Sequence, residues 1–347
     1  MDFPNAPATY TTHKEIQNGF GYMVDYLEAM SYGKLNVEVD VVHRWWRAPK
    51  NFEAYVRVSV LSENNLSDEA AAEAVRLADD SYDFSDTDMF AAVFPSEHFG
   101  RALAGKRAHA DGKTFPGISI NTVVGRDPGV PSPLGLMAAH EFVHELGLAD
   151  LYPYDSTVRE LPNPPRGRRW VYSEIGLMGL KANFASTNRA LHSVDPVEML
   201  TWSRWQLGWL HPSQIQCGVP PVGAVTLQPV AEPGVGTVMA AIPLNLHQII
   251  VIENRRKLGY DAAPPPVHQS GSIPSRGLIE EGVVVYIVDT LIGTGQLPIR
   301  IAGGIGTIQY DSFPVLTVGE SVTLHGYTIA VTDDTNPTYT VTITKAD

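Results

Sequence analysis

A change of texture near residue 210 constrains this chain more than any other feature. Before it, helical and strand periods alternate; after it, every apolar run has the length of a strand. KEIQNGFGYMVDYLEAM (residues 14–30) sets Ile16, Phe20, Met23, Val24 and Leu27 on one side of a helix. LNVEVDVVHRW alternates Leu35, Val37, Val39 and Val41 against Asn36, Glu38 and Asp40, which predicts a strand with one wet face. SDEAAAEAVRLADD predicts a second helix, with Ser67 as N-cap and acids in its first turn. DMFAAVF (88–94) and GISINTVV (117–124) predict further strands. Past Leu210 the runs AVTLQPV, HQIIVIENR, GVVVYIVDT, SVTLHGYTIAV and TYTVTITK stand between Gly and Pro clusters, the pattern of an all-β sandwich rather than a barrel. The expected division is a mixed α and β domain over 1–211 and a β-sandwich domain over 212–347. DAAPPPVHQSGSIPSRG (261–277) reads as a long surface loop.

The 347 residues suit two domains or one large one. With 44% hydrophobic and 18% charged residues the chain can bury a core, which excludes wholesale disorder. A net charge of −13 argues against nucleic acid or an anionic membrane as partner, since both need a basic face. A solvated acidic surface is the plain reading of that charge, and weak calcium sites are the functional one. Cys217 is the only cysteine, so any zinc must be held by nitrogen and oxygen. The first residues carry no apolar signal-type core and nowhere do about eighteen apolar residues run together, so neither a membrane span nor a signal peptide is expected; an exported form would be mature or trimmed.

SPLGLMAAHEFVHELG (132–147) has a start and a stop. Ser132 can cap, Pro133 suits the first helical position and Gly147 suits the left-handed residue after the last turn. At about 100° per residue, His144 lies about 40° from His140 and Glu141 about 100° from it on the same side. Leu136, Ala139, Phe142, Val143 and Leu146 fall on another side, toward a core. Two imidazoles one turn apart with a flanking carboxylate are what an H-E-x-x-H zinc site requires, while two satisfied helix histidines are the plain alternative. Zinc brings the pKa of a bound water toward neutrality, and the carboxylate accepts its proton. Asp150, three residues after the Gly147 turn, can reach the same metal. Three protein ligands leave the fourth position open, as in a catalytic site.

HEFVHELGLADLY, read as H-E-x-x-H-x-x-G-x-x-D, resembles the metzincin zinc peptidases, in particular the branch with aspartate as third ligand that includes the immune inhibitor A-type secreted bacterial metallopeptidases. EAMSYGKLNVEV, GLMG (176–179), VEMLTWSRWQLGWL, IVIENRRKLGYD and EEGVVVYIVD match in the same order, so the resemblance covers nearly the whole chain. Val143 departs from it, standing where that family usually has glycine. The resemblance implies an α+β metzincin-like catalytic domain, with a mixed sheet and an active-site helix, followed by an all-β sandwich domain. It implies a secreted zinc endopeptidase acting on proteins or peptides, with His140, His144 and Asp150 on one zinc ion and Glu141 as general base. Met178 becomes the methionine of a tight turn beneath the ligands. The strand before the zinc helix becomes an antiparallel edge that pairs with extended substrate, which sets Ser119, Ile120 and Asn121 beside it. The family also accommodates calcium, at positions this sequence does not give.

Several neighbours carry two readings each. Tyr152 and Tyr154 can hydrogen-bond to a ligand or to the reacting carbonyl, or simply pack. Asp155 and Glu145 can accept from ligand imidazoles, although Glu145 is expected at the surface. Asp195, Pro196 and Glu198 read as a capping box, with Glu198 otherwise a third ligand from a second helix. ADDSYDFSDTD (78–88) lacks the glycine and final glutamate of an EF-hand, leaving a solvated turn against an irregular calcium site. HRWWRAP and WSRWQLGWL hold tryptophans that pack or line a cleft. Two other functions fit the same letters: a non-proteolytic zinc-containing adhesin or glycan-binding module, and a zinc amidase acting on a non-peptide amide. Glu141 argues against the first, because a structural zinc does not need it.

Overall fold

The computed structural model describes residues 1–8, 13–59, 62–95, 102–122, 134–151, 154, 168–171, 176–179, 197–218, 223–232, 234–262, 278, 280–305 and 315–346. It is an α+β fold with few helices and open sheets, and its C-terminal part is rich in strand. The chain divides into two compact units, Met1–Ala29 with Leu35–Leu148, and Met30–Lys34 with Ala149–Asp347.

In the first unit, helix α1 (His13–Met30) buries Ile16, Phe20, Met23 and Leu27 of the expected stripe, while Val24 is half-buried and Tyr26 is buried beside them. A hairpin of β1 (Val56–Ser59) and β2 (Ser62–Leu66) leads into α2 (Asp68–Ala78). Ser67 caps α2: its backbone is extended and its hydroxyl accepts from the Ala70 N–H at 3.3 Å. Strands β3 (Phe90–Pro95), β4 (Ala102–Ala110) and β5 (Lys113–Thr122) then form a sheet of order β3-β5-β4, with β3 parallel and β4 antiparallel to β5. Phe90, Ala92, Phe94, Ala108, Ala110 and Phe115 meet the apolar face of α2 in one core. Alternation along β5 turns Ile118 and Ile120 to the opposite face, where α3 (Leu134–Glu145) packs on β4 and β5. Gly135 lets α3 approach α1 closely, since a Cβ there would come within 2.4 Å of the Gly19 carbonyl.

Two expectations fail in this unit. Residues 35–46 form no strand: Arg44 N–H turns back to the Val42 carbonyl at 2.8 Å, and Val39 and Val42 stay exposed. The alternation is present, but among the described residues no neighbouring strand completes a ladder. The strand before α3 is not an edge either. β5 is flanked on both sides, with Ser119 opposite Ala92 of β3 and Leu103 of β4, so its backbone is already paired where a peptide would have to add. Ser119 and Ile120 are buried, and the side chain of Asn121 lies outside the described residues.

The second unit holds β6 (Arg168–Val171), α4 (Thr201–Gln206), β7 (Ile215–Cys217), β8 (Gly223–Leu227), β9 (Met239–Pro243), β10 (Gln248–Arg255), β11 (Gly282–Asp289), β12 (Ile299–Ile305), β13 (Ser321–Leu324), β14 (Tyr327–Thr335) and β15 (Thr338–Lys345). Six strands run β6-β12-β11-β10-β9-β7 and four run β13-β14-β15-β8. One apolar core joins the two sheets, Ile250, Ile252, Val283, Val285 and Ile287 meeting Val322, Ile329, Val341 and Ile343. Strand β11 is buried at every position, so the second face of the larger sheet is covered too.

That second face carries charge. Arg255 holds Asp261 through two bonds of 2.6 and 2.7 Å and Glu253 at 3.1 Å. Glu253 accepts in turn from the Thr201 N–H at 2.8 Å, the Thr201 hydroxyl at 2.7 Å and the Tyr286 hydroxyl at 2.9 Å. Burial alone would lower the Arg255 pKa, but Asp261 and Glu253 raise it above the ordinary value. Glu198 belongs here, paired with Arg204 and accepting from the Tyr260 N–H at 2.9 Å. It is therefore neither a capping residue nor a metal ligand: α4 begins only at Thr201, and an arginine occupies the carboxylate. Asp195 and Pro196 lie outside the described residues, as does most of the Pro-rich loop.

Candidate metal centre

Helix α3 buries Leu134, Leu136, Met137, Ala138, Ala139 and Val143, which leaves His140 and His144 on the neighbouring face. His140 is 3% exposed and His144 half-buried. Phe142 is also half-buried, and Leu146 is exposed rather than in the core: the helix ends at Glu145, so the wheel no longer describes the next residue. Ser132 and Pro133 lie outside the described residues.

The imidazoles stand edge to face, 4.8 Å between centroids, with their Nε2 atoms 3.2 Å apart. His144 Nδ1 lies 2.7 Å from the Leu148 carbonyl oxygen, which can only accept; Nδ1 therefore carries the proton, and the Nε2 lone pair faces His140. Gly147 produces this arrangement. At φ +103° it ends the helix in the left-handed region, with its N–H to His144 O at 2.9 Å and the Leu148 N–H to Val143 O at 3.1 Å. The same short run of chain then delivers Asp150, 5% exposed, and ligand atoms of His140, His144 and Asp150 lie within 4.8 Å of one another.

This donor set fits zinc. Two nitrogens each about 2.0–2.1 Å from a tetrahedral ion stand roughly 3.3 Å apart, close to the spacing found here. Two imidazoles and one carboxylate are also the ligand number that leaves a position open. Among the described residues, no other group of three or more His, Cys, Asp or Glu converges in this way. In the acidic turn after α2, Asp83 accepts from the Ser85 N–H at 2.9 Å, and Asp111 of the β4–β5 turn accepts from the Phe84 N–H at 2.6 Å.

Beside the pair, Glu141 Oε2 accepts from the Ala104 N–H at 2.6 Å. That amide is available because β4 is bulged: its register with β5 shifts between Leu103 and Lys106, with Gly105 at φ +75°. The Gly105 N–H is turned onto Glu145, which also pairs with Arg107 at 2.9 Å. Glu145 was expected at the surface, yet its side chain is 5% exposed. Its acceptor capacity goes to β4, and the Leu148 carbonyl serves His144 instead. The bulge carried no sequence signal beyond the glycine in ALAGKRAHA.

Met178 is buried in a tight turn, with Gly176 at φ +98° and the Gly179 N–H to Gly176 O at 3.1 Å. The Met178 carbonyl accepts from the Leu151 N–H at 3.0 Å, one residue past Asp150. Tyr154 donates its hydroxyl to Asp150 Oδ2, while Tyr152 and Asp155 lie outside the described residues. Thr294 and Gly295, on the β11–β12 connection, also touch Asp150, and no local motif marks them in the sequence. Trp202 and Trp209 are buried packing residues; Trp205 is 45% exposed. No helix among the described residues is long and apolar enough to cross a membrane. No protein-family model matches the chain, and no curated protein matches it.

Proposed function

We propose that the chain is an exported zinc endopeptidase of metzincin type. The convergence of His140, His144 and Asp150 beside Glu141 carries this reading. Bound zinc would supply a Lewis acid that acidifies water and polarises a peptide carbonyl. The residues of the chain do the rest. The Leu148 carbonyl holds His144 in the tautomer that presents Nε2, and the turn at Gly147 brings in the Asp150 carboxylate. Glu141, held by the Ala104 amide, would take the proton from the attacking water and pass it to the departing amine nitrogen. No covalent bond to the enzyme is formed on this route.

With β5 flanked on both sides, an extended peptide would join an edge of this sheet, where β3 and β4 each pair only with β5 among the described residues; β4 is the edge bonded to Glu141. The resemblance implies an apolar methionine floor for the ligands, and the buried Met178 turn, bonded to the residue after Asp150, is in keeping with it. Purified protein should cut an unfolded general protein substrate, and Glu141→Ala should retain zinc while losing cleavage by at least about a hundredfold. If both hold zinc and neither cuts any of many substrates, the adhesin and amidase readings replace this one.

A further inference from the structure

The third ligand is not held by its own segment alone. Asp150 and Tyr154 are zipped onto one dipeptide of the β11–β12 connection by three hydrogen bonds donated by backbone N–H groups. The Asp150 N–H donates to Thr294 Oγ1 at 2.8 Å, the Gly295 N–H donates to Asp150 O at 3.2 Å, and the Tyr154 N–H donates to Gly295 O at 2.9 Å. The Tyr154 hydroxyl then reaches back to Asp150 Oδ2 and lies 3.4 Å from Thr294 Oγ1. Gly295 is needed twice. Its φ is +70°, and a Cβ there would stand 2.3 Å from the Tyr154 ring, so the ring lies flush on the glycine backbone.

The connection has firm roots. The Thr290 N–H bonds to the His247 carbonyl in the β9–β10 turn at 2.9 Å, and the Leu291 N–H to Asp289 Oδ1 at 3.1 Å. Asp289 in turn accepts from the Gln248 side chain at 2.7 Å.

Building on the zinc-site reading, we propose that the β11–β12 connection of the sandwich is the seat of the metal site, and that Tyr154 is a positioning residue that holds Asp150 to ligation through a single oxygen. The physical reason lies in the carboxylate. An aspartate has two equivalent oxygens and a rotatable χ2, so a ligand left alone spends part of its time bidentate or turned away. A phenol committed to Oδ2 leaves Oδ1 for the metal. Partners of this kind typically change metal affinity by about 10–100-fold. The β-rich region thereby acquires a role in metal retention.

Tyr154→Phe keeps the ring on Gly295 and removes only the hydroxyl; Thr294→Val removes the partner of the Asp150 amide with little change of shape. Zinc affinity is measured on each by chelator competition, with urea unfolding of the metal-free proteins and the visible spectrum of the cobalt-substituted forms. The proposal expects both variants to bind zinc about tenfold or more weakly than wild type, the cobalt bands of Tyr154→Phe to shift, and its metal-free stability to match wild type. Equal zinc affinity with an unchanged cobalt spectrum overturns it, as does a loss of affinity wholly matched by loss of metal-free stability. Wild-type protein that binds zinc and cuts nothing, with Tyr154→Phe binding weakly, sinks the peptidase reading and leaves this one standing. Wild-type protein that binds no zinc sinks both.

Discussion

Gly105 and Gly112 offer a matched pair of perturbations. Both have left-handed backbones, φ +75° and +76°, and a Cβ at either would meet nothing within 4 Å. Replacing either by alanine therefore costs only backbone strain, about 1–2 kcal/mol. Gly112 lies in the β4–β5 turn, whereas Gly105 sits in the bulge that aims the Ala104 N–H at Glu141 Oε2. A hydrogen bond to a charged group is worth about 1.5–3 kcal/mol. If Gly105→Ala relaxes its strain by straightening the bulge, part of that is lost from Glu141, about 10–100-fold in rate if felt in full. The assay is kcat and KM on a peptide substrate, with zinc content and urea unfolding for both variants. Similar stability losses are expected in the two, with kcat reduced about tenfold or more in Gly105→Ala alone and zinc unchanged. Equal kcat in the two variants would refute the assignment of the bulge as the support of Glu141.

The charged layer on the second face of the larger sheet gives the remaining tests. Tyr286→Phe should lower stability by about 1–3 kcal/mol in urea unfolding, because Glu253 loses a buried donor and the Trp202 N–H loses the phenol oxygen 3.1 Å away; a neutral result would mean the layer repacks freely. Burial first, and the Glu253 charge second, raise the Tyr286 pKa well above 10.0. The folded protein thus keeps a proton that the unfolded chain gives up near pH 10, so this contribution is complete below about pH 10 and fades as pH rises further. Unfolding free energies from pH 9 to 11 should fall more steeply for wild type than for Tyr286→Phe, and identical slopes would contradict the assignment.

What could be read in the residues divides along a physical line. Local signals carried through: Ser67 caps α2, most of the apolar stripe of α1 is buried, and the short apolar runs of the tail became β8, β10, β11, β13, β14 and β15. His140, His144 and Asp150 were legible because helix period and one glycine turn set their geometry within a single short stretch. Features decided by distant partners were not. LNVEVDVV has the alternation of a strand but no adjacent ladder among the described residues, and the central place of β5 depends on β4, whose ALAGKRAHA carries little strand propensity. Glu198 has the spacing of a capping residue, yet an arginine six positions on and the Tyr260 amide claim it. Glu145 follows the same logic, its exposed place on the wheel overridden by a bulge that local spacing does not reveal. Thr294 and Gly295 are more than 140 residues from Asp150, and nothing in LIGTGQ announces a metal site.

Metal analysis of the purified protein and of His144→Ala bears most directly on the account as a whole. After incubation with excess zinc and gel filtration, wild type should retain one zinc ion per chain and His144→Ala well under half of that, with the variant still folded. Wild type that retains no zinc, or His144→Ala that retains as much as wild type, would contradict a metal centre at His140, His144 and Asp150.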